Sequence, residues 1–268
     1  MINFKKKFMI KKLTFEKIKN EVETAINQAF DELKRLNPNN YALYFMSIEI
    51  CNGIILLEDR RSDILDSSRL HFLQKFMENY YTFDNEDKTV HDDAYRFNLE
   101  MMIYTHCWES DYFLKKLRKL CQLLDGEEYN FYPIDIPVSK KEWIKESIYN
   151  ILIKKNLKLG KIISQRYDQH LRNSFAHSSY SIDVDQRLIK LHKKQKDVSF
   201  NQWNKYFAYT FWLSFLLPQV IIQRTKNLTK DLKTEEFLLR YYLNEKEYSC
   251  TVKYNKSSEC FFRSQKTY

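Results

Sequence analysis

Arg172, Asn173 and His177 stand close together in LRNSFAHSSY, residues 171–180. An imidazole titrates near neutrality and moves protons, whereas a guanidinium holds two phosphate oxygens without losing its charge. A carboxamide between them can orient either group or a sugar. Together they suit RNA cleavage without a metal: the 2′-hydroxyl loses a proton, the 5′-oxygen gains one, and the dianionic phosphorane needs positive hydrogen-bond donors. The plainer alternative is a polar helix end, with Arg172 paired to Asp168 one turn earlier and His177 capping the last carbonyls.

The segment keeps helical time. Leu171 and Phe175 share one stripe, Asn173 and His177 share another, and Arg172 is long enough to curl toward the same polar surface. The elements around it read as follows. A helix spans 14–36, where Phe15, Ile18, Val22, Ile26, Ala29, Phe30 and Leu33 recur at helical steps, and others span 41–57 and 64–81. A long helix covers 94–124 and stops near Gly126. Ser139 and Glu142 form a capping-box pattern that starts a helix to Lys154, and a helix from Lys158 carries the motif. Beyond Tyr180 the period becomes alternating at Ile182, Val184 and Leu188, which predicts a short hairpin. Ser199 and Gln202 then cap an apolar helix. The last segment reads as one helix over 235–243 and a hairpin in YSCTVKYNKSSECFF.

Composition narrows the class. The chain has 268 residues, 44% of them apolar, but only 3 Gly and 4 Pro. Glycine-rich cofactor loops and turn-rich all-β folds need more of both, so no cofactor is expected. A net charge of +9 favours a polyanionic partner such as RNA. The five cysteines never form a C-x-x-C pair, which fits reduced thiols in a cytoplasmic protein better than zinc or disulfides. YFAYTFWLSFLLPQVII, residues 206–222, is interrupted by Pro218 and Gln219, so a buried helix is expected there and no membrane partner. The basic N-terminus lacks an apolar run long enough for a signal peptide.

Weaker constellations surround the motif. His91 and Asp92 form an H-D doublet with no second histidine and aspartate at suitable spacing, and no metal site is expected. Glu109 and Asp111 lie on a helix expected to pack beside the motif helix. Either could hydrogen-bond Arg172, although solvated charge is the commoner role.

LRNSFAHSSYSID resembles the signature of HEPN domains, helical bundles whose ribonuclease members carry R-x4–6-H with a polar residue after the arginine. Arg172, Asn173 and His177 match that pattern, and the order of flanking elements over 94–226 is similar. The resemblance implies an all-α, HEPN-like bundle at 94–226 with a short β-hairpin after the motif helix; outside it, the residues themselves read as a helical N-terminal portion at 1–93 and a small appendage at 227–268. It implies metal-independent endoribonuclease activity on single-stranded RNA in prokaryotic antiviral defence, abortive infection or a toxin system, with Arg172 and His177 catalytic and Asn173 supporting them. It also implies a homodimer with a composite active site, and an antitoxin or regulatory partner. Family members that have lost the activity bind RNA, a nucleotide or a partner protein. In toxins paired with a nucleotidyltransferase, a tyrosine two residues after the histidine receives the modifying group. Here that position is Ser179, and Tyr180 follows as the expected first residue of the hairpin.

Overall fold

A computed structural model describes residues 12–50, 59–80, 93–129, 134, 136–137, 139–192, 196–231, 236–243, 246–255 and 260–264. These residues are mostly helical. The chain divides into two compact units, one formed by Met1–Thr24, Leu65–Phe113 and Ile162–Leu216, the other by Ala25–Ile64, Leu114–Lys161 and Leu217–Tyr268. The units interleave in sequence. This differs from the expected consecutive blocks at 1–93, 94–226 and 227–268, because the long helices contribute to both units.

The first unit is built on aromatic packing. It takes the start of α1 (Lys12–Leu36), most of α3 (Asp59–Tyr80), all of α4 (Asp93–Glu109) and the start of α5 (Asp111–Asp125). From the later chain come most of α8 (Lys158–Arg166), all of α9 (Gln169–Ala176) and the first half of α10 (Phe200–Asp231). Phe97 packs on Phe200 at 4.0 Å between ring centroids, Tyr104 sets its edge on Trp203 at 5.4 Å, and Phe15 stacks on Phe211. Within this core Trp108 Nε1 donates to Thr210 Oγ1 at 3.1 Å. β1 (Tyr180–Asp183), β2 (Leu188–Leu191) and β3 (Val198–Ser199) form an antiparallel sheet in that order, with Ile182 opposite Ile189. Val184, expected in the first strand, falls in the turn. The capping box that follows is formed as the sequence predicts: Gln202 N donates to Ser199 Oγ at 3.3 Å, and Ser199 N donates to Gln202 Oε1 at 3.0 Å.

Two expected helices are broken. Between α4 and α5, Ser110 Oγ accepts from Phe113 N at 3.2 Å and donates to Asp66 Oδ2 at 2.7 Å. That side chain starts a new helix where 94–124 reads as continuous. Between α8 and α9, Asp168 does the same for the motif helix.

In the second unit, Phe30 meets Tyr44 and Phe45 of α2 (Pro38–Ile50) at 5.3 and 5.1 Å. The expected helix at 41–57 thus begins earlier, and residues 51–57 lie outside the described residues. α6 (Lys140–Ile144) runs through a π-helical turn, Lys145–Tyr149, into α7 (Asn150–Lys154). Ser139 holds the N-cap position of α6 without a side-chain cap bond, so the expected capping box is absent. Gly160 lets α8 approach α7 closely, since a Cβ there would lie 2.7 Å from Ile153 N. β4 (Glu236–Leu243), β5 (Lys246–Asn255) and β6 (Cys260–Ser264) form a second antiparallel sheet in sequence order. The helix expected over 235–243 is therefore strand β4, paired along its length with β5. EFLLRYYL is a short apolar run that fits either period, and its aromatics favour the sheet.

The segment read as a buried helix rather than a membrane span lies within α10, where Phe207, Ala208, Leu213 and Leu217 are at most 1% exposed. Among the described residues no helix is long and apolar enough to cross a membrane.

Candidate active site

The motif helix α9 is held at both ends by local chemistry. At its start, Asp168 Oδ1 accepts from His170 N at 2.7 Å and from Leu171 N at 3.3 Å, which satisfies two orphan amides of the first turn. The Tyr104 hydroxyl accepts from Asp168 N at 2.8 Å and donates to the Arg166 carbonyl at 2.9 Å, so α4 fixes the junction before α9. At its end, Ser179 N donates to the Ser174 carbonyl at 2.8 Å and Ser178 N to the Phe175 carbonyl at 3.0 Å. This is a Schellman motif with His177 as C-cap and Ser178 in the left-handed region at φ +51°.

Arg172 departs from its expected place on the polar surface. Only 11% of its side chain is exposed, and its guanidinium is held on two sides. Nε and Nη2 donate to Asn173 Oδ1 at 3.2 and 2.7 Å, and Nη1 donates to Glu109 Oε1. Glu109 is thus the partner of Arg172, and Asp168 is occupied as the N-cap. A guanidinium has five N–H groups, so two remain beyond these three bonds.

The structure joins Arg172 to Asn173 but leaves His177 apart from them. His177 is exposed, bonded through its backbone amide to the Asn173 carbonyl at 3.0 Å. Its ring makes no hydrogen bond among the described residues. Beside it, the Phe175 and Tyr180 rings lie 5.9 Å apart, and the Tyr180 hydroxyl donates to Asn98 Oδ1. Tyr180 is the first residue of β1, as expected.

One face of α4 therefore runs along the motif, with Asn98 at Tyr180 and Glu109 at Arg172. One turn before Glu109 lies His106, half-buried and in the electrostatic field of Asp66, Arg69 and Glu109. Burial, reinforced by the Arg69 guanidinium, holds its ring below the usual histidine value. Tyr104, Asn98 and His106 were not singled out by sequence reasoning. For Asn98 the signal in the sequence is its position eleven residues, three helical turns, before Glu109, which sets both on one face of α4. Tyr104 and His106 lie off that stripe. Asp111 starts α5 and is exposed. His91 and Asp92 lie outside the described residues. Among the described residues no group of three or more His, Cys, Asp and Glu is placed to hold a metal ion.

No family model matches the chain, and neither a curated protein nor a solved structure matches it.

Proposed function

We propose that the chain is a HEPN-type endoribonuclease that cuts single-stranded RNA without a metal, through attack of the 2′-hydroxyl, in prokaryotic antiviral defence or a toxin system. The observation that carries this reading is the arrangement on α9: a guanidinium fixed in direction by Asn173 and Glu109, with an exposed imidazole at the capped end of the same short helix. Arg172 would hold the phosphate and stabilise the phosphorane, His177 would transfer a proton, and Asn173 would keep the guanidinium in place. The proposed setting is the cytoplasm, with the chain acting as a homodimer under an antitoxin or regulatory partner.

The Glu109 carboxylate favours a second reading. It already occupies Arg172 as a phosphate would, which suits a non-catalytic HEPN module that binds RNA, a nucleotide or a partner protein. Purified protein incubated with unstructured RNA in EDTA separates the two. The ribonuclease reading expects a 2′,3′-cyclic phosphate and a 5′-hydroxyl. Cleavage that needs a divalent metal, or that proceeds on a strand lacking 2′-hydroxyls, overturns it. Binding without cleavage at any trigger supports the module.

A further inference from the structure

His177 stands between two aromatic residues of its own segment, Phe175 before it and Tyr180 after it. The left-handed turn at Ser178 brings their rings to 5.9 Å between centroids. Both rings are half-buried, and the residues between them from Ala176 to Ser178 are exposed. A third ring is placed beside them through Asn98 of α4. Asn98 Oδ1 accepts from the Tyr180 hydroxyl, and Nδ2 donates at 2.8 Å to the Ala94 carbonyl, which is covalently joined to the Tyr95 nitrogen. One carboxamide therefore links the Tyr180 hydroxyl to the backbone of Tyr95. Tyr95 is 69% exposed, more than any other large apolar residue described. Among the described residues it makes no hydrogen bond and no ring contact.

Single-stranded RNA is the ligand whose chemistry matches such a row: its unstacked bases lie flat on aromatic rings, and every base offers a π-face. We propose that Tyr95, Tyr180 and Phe175 form a stacking shelf for a base of single-stranded RNA, next to the phosphate on which His177 acts. The inference deepens the ribonuclease reading and rests on the His177 end being an RNA site.

The shelf supplies what the buried cation does not. Arg172 is 11% exposed at its side chain and already shared with Glu109, so it grips phosphate and leaves the bases unheld. A base stacked beside His177 fixes the register of the strand against the imidazole. The neighbouring groups suit a polyanion. Asp183, the acid of β1, is paired with Lys190 Nζ at 2.7 Å, and the exposed His192 is joined through its amide to the Ser179 carbonyl at 3.0 Å. Each copy in a homodimer would carry its own shelf, so the inference is independent of which chain supplies the second proton-transferring group.

Two strands of equal length test this on the full chain: a 2′-O-methyl RNA, which cannot be cut by 2′-hydroxyl attack, and an abasic counterpart that keeps the phosphates and has no bases. By fluorescence anisotropy, wild type should bind the first about tenfold more tightly or better. Tyr95→Ala, at an exposed position, should lose about tenfold on the base-bearing strand and nothing on the abasic one. Tyr95→Trp should restore the loss, and Tyr180→Leu should behave as Tyr95→Ala does. Wild-type affinity of Tyr95→Ala for the base-bearing strand overturns the shelf, as does an equal loss on both strands. A wild type that binds neither strand overturns the RNA reading with it. If Tyr95→Ala sediments as a monomer where wild type is a dimer, the ring belongs to a contact between copies and the shelf is again overturned. Cleavage in EDTA is scored separately. Base-dependent binding without cleavage keeps the shelf and removes the ribonuclease, whereas cleavage with an unaltered KM in Tyr95→Ala does the reverse.

Discussion

The Tyr104 hydroxyl bridges the break before the motif helix, accepting from Asp168 N at 2.8 Å and donating to the Arg166 carbonyl at 2.9 Å. Because the ring is 1% exposed, water does not replace the hydroxyl if it is removed. Tyr104→Phe keeps the ring and orphans both backbone groups, which should cost about 1–3 kcal/mol. Urea unfolding of the two proteins measures this. A change within experimental error would mean that the junction closes on itself.

Arg172 and His177 differ in burial, and their substitutions should differ accordingly. His177→Ala removes an exposed ring, so it should leave the melting temperature unchanged and RNA affinity largely intact while lowering turnover by about 100-fold or more. Arg172→Ala removes a buried cation and releases Asn173 and Glu109, so turnover, affinity and thermal stability should all fall. Normal cleavage and melting in both variants would reduce the motif to a polar helix end.

Glu109 competes with any phosphate for Arg172. Glu109→Gln retains the size and one acceptor oxygen but gives up the charge, so a single-stranded RNA should bind several-fold more tightly. Fluorescence anisotropy with a labelled 2′-O-methyl strand reads this directly. Weaker binding would show instead that the carboxylate orients the guanidinium for its ligand.

Ser178 occupies a left-handed position that glycine fills without strain. Ser178→Gly should therefore raise stability by about 1 kcal/mol, visible as a higher urea midpoint at constant slope. If Ser178 holds the His177 end rigidly, the same variant should turn over RNA more slowly.

Glu100 supplies a pH dependence. It is 1% exposed and accepts from Trp203 Nε1 at 2.6 Å, while Arg96 Nε stands 3.6 Å away, beyond a strong hydrogen bond. Burial dominates and pushes its carboxyl up to about 8. The folded chain then keeps this proton at pH 7 and the unfolded chain does not. Stability from this group is complete below the ordinary carboxylate value and is lost as pH rises toward about 8, by about 1 kcal/mol per unit. Glu100→Gln keeps an acceptor for Trp203 and removes the titration. Relative to wild type, it should gain stability steadily between about pH 5 and pH 8. Parallel curves for the two proteins would place the charge in solvent.

Periodicity reveals the helices because their apolar faces are regular. Phe15, Ile18 and Val22 predict α1, and the Ser199–Gln202 pair predicts the start of α10. Breaks within apolar runs are harder to see. Ser110 and Asp168 read as ordinary polar positions until Phe113 N and Leu171 N are known to point at them, although Ser110 followed by an acidic residue is a recognised helix start. The strand at 236–243 was hidden because its partner, not its own pattern, decides its conformation. At the site, spacing alone places Arg172, Asn173 and His177 on one helix. It does not show that Arg172 is buried against Glu109, since that depends on the packing of α4 on α9.

α9 has eight residues, too few for a helix to persist alone in water. Its anchors on α4 are remote in sequence: 63 residues separate Arg172 from Glu109, and 64 separate Asp168 from Tyr104. The motif therefore has no standing conformation in the nascent or unfolded chain. A ribosome-bound chain carrying the complete RNSFAH segment would still lack its site until α9 docks, and a chain threaded through a protease or secretion pore would lose it at once.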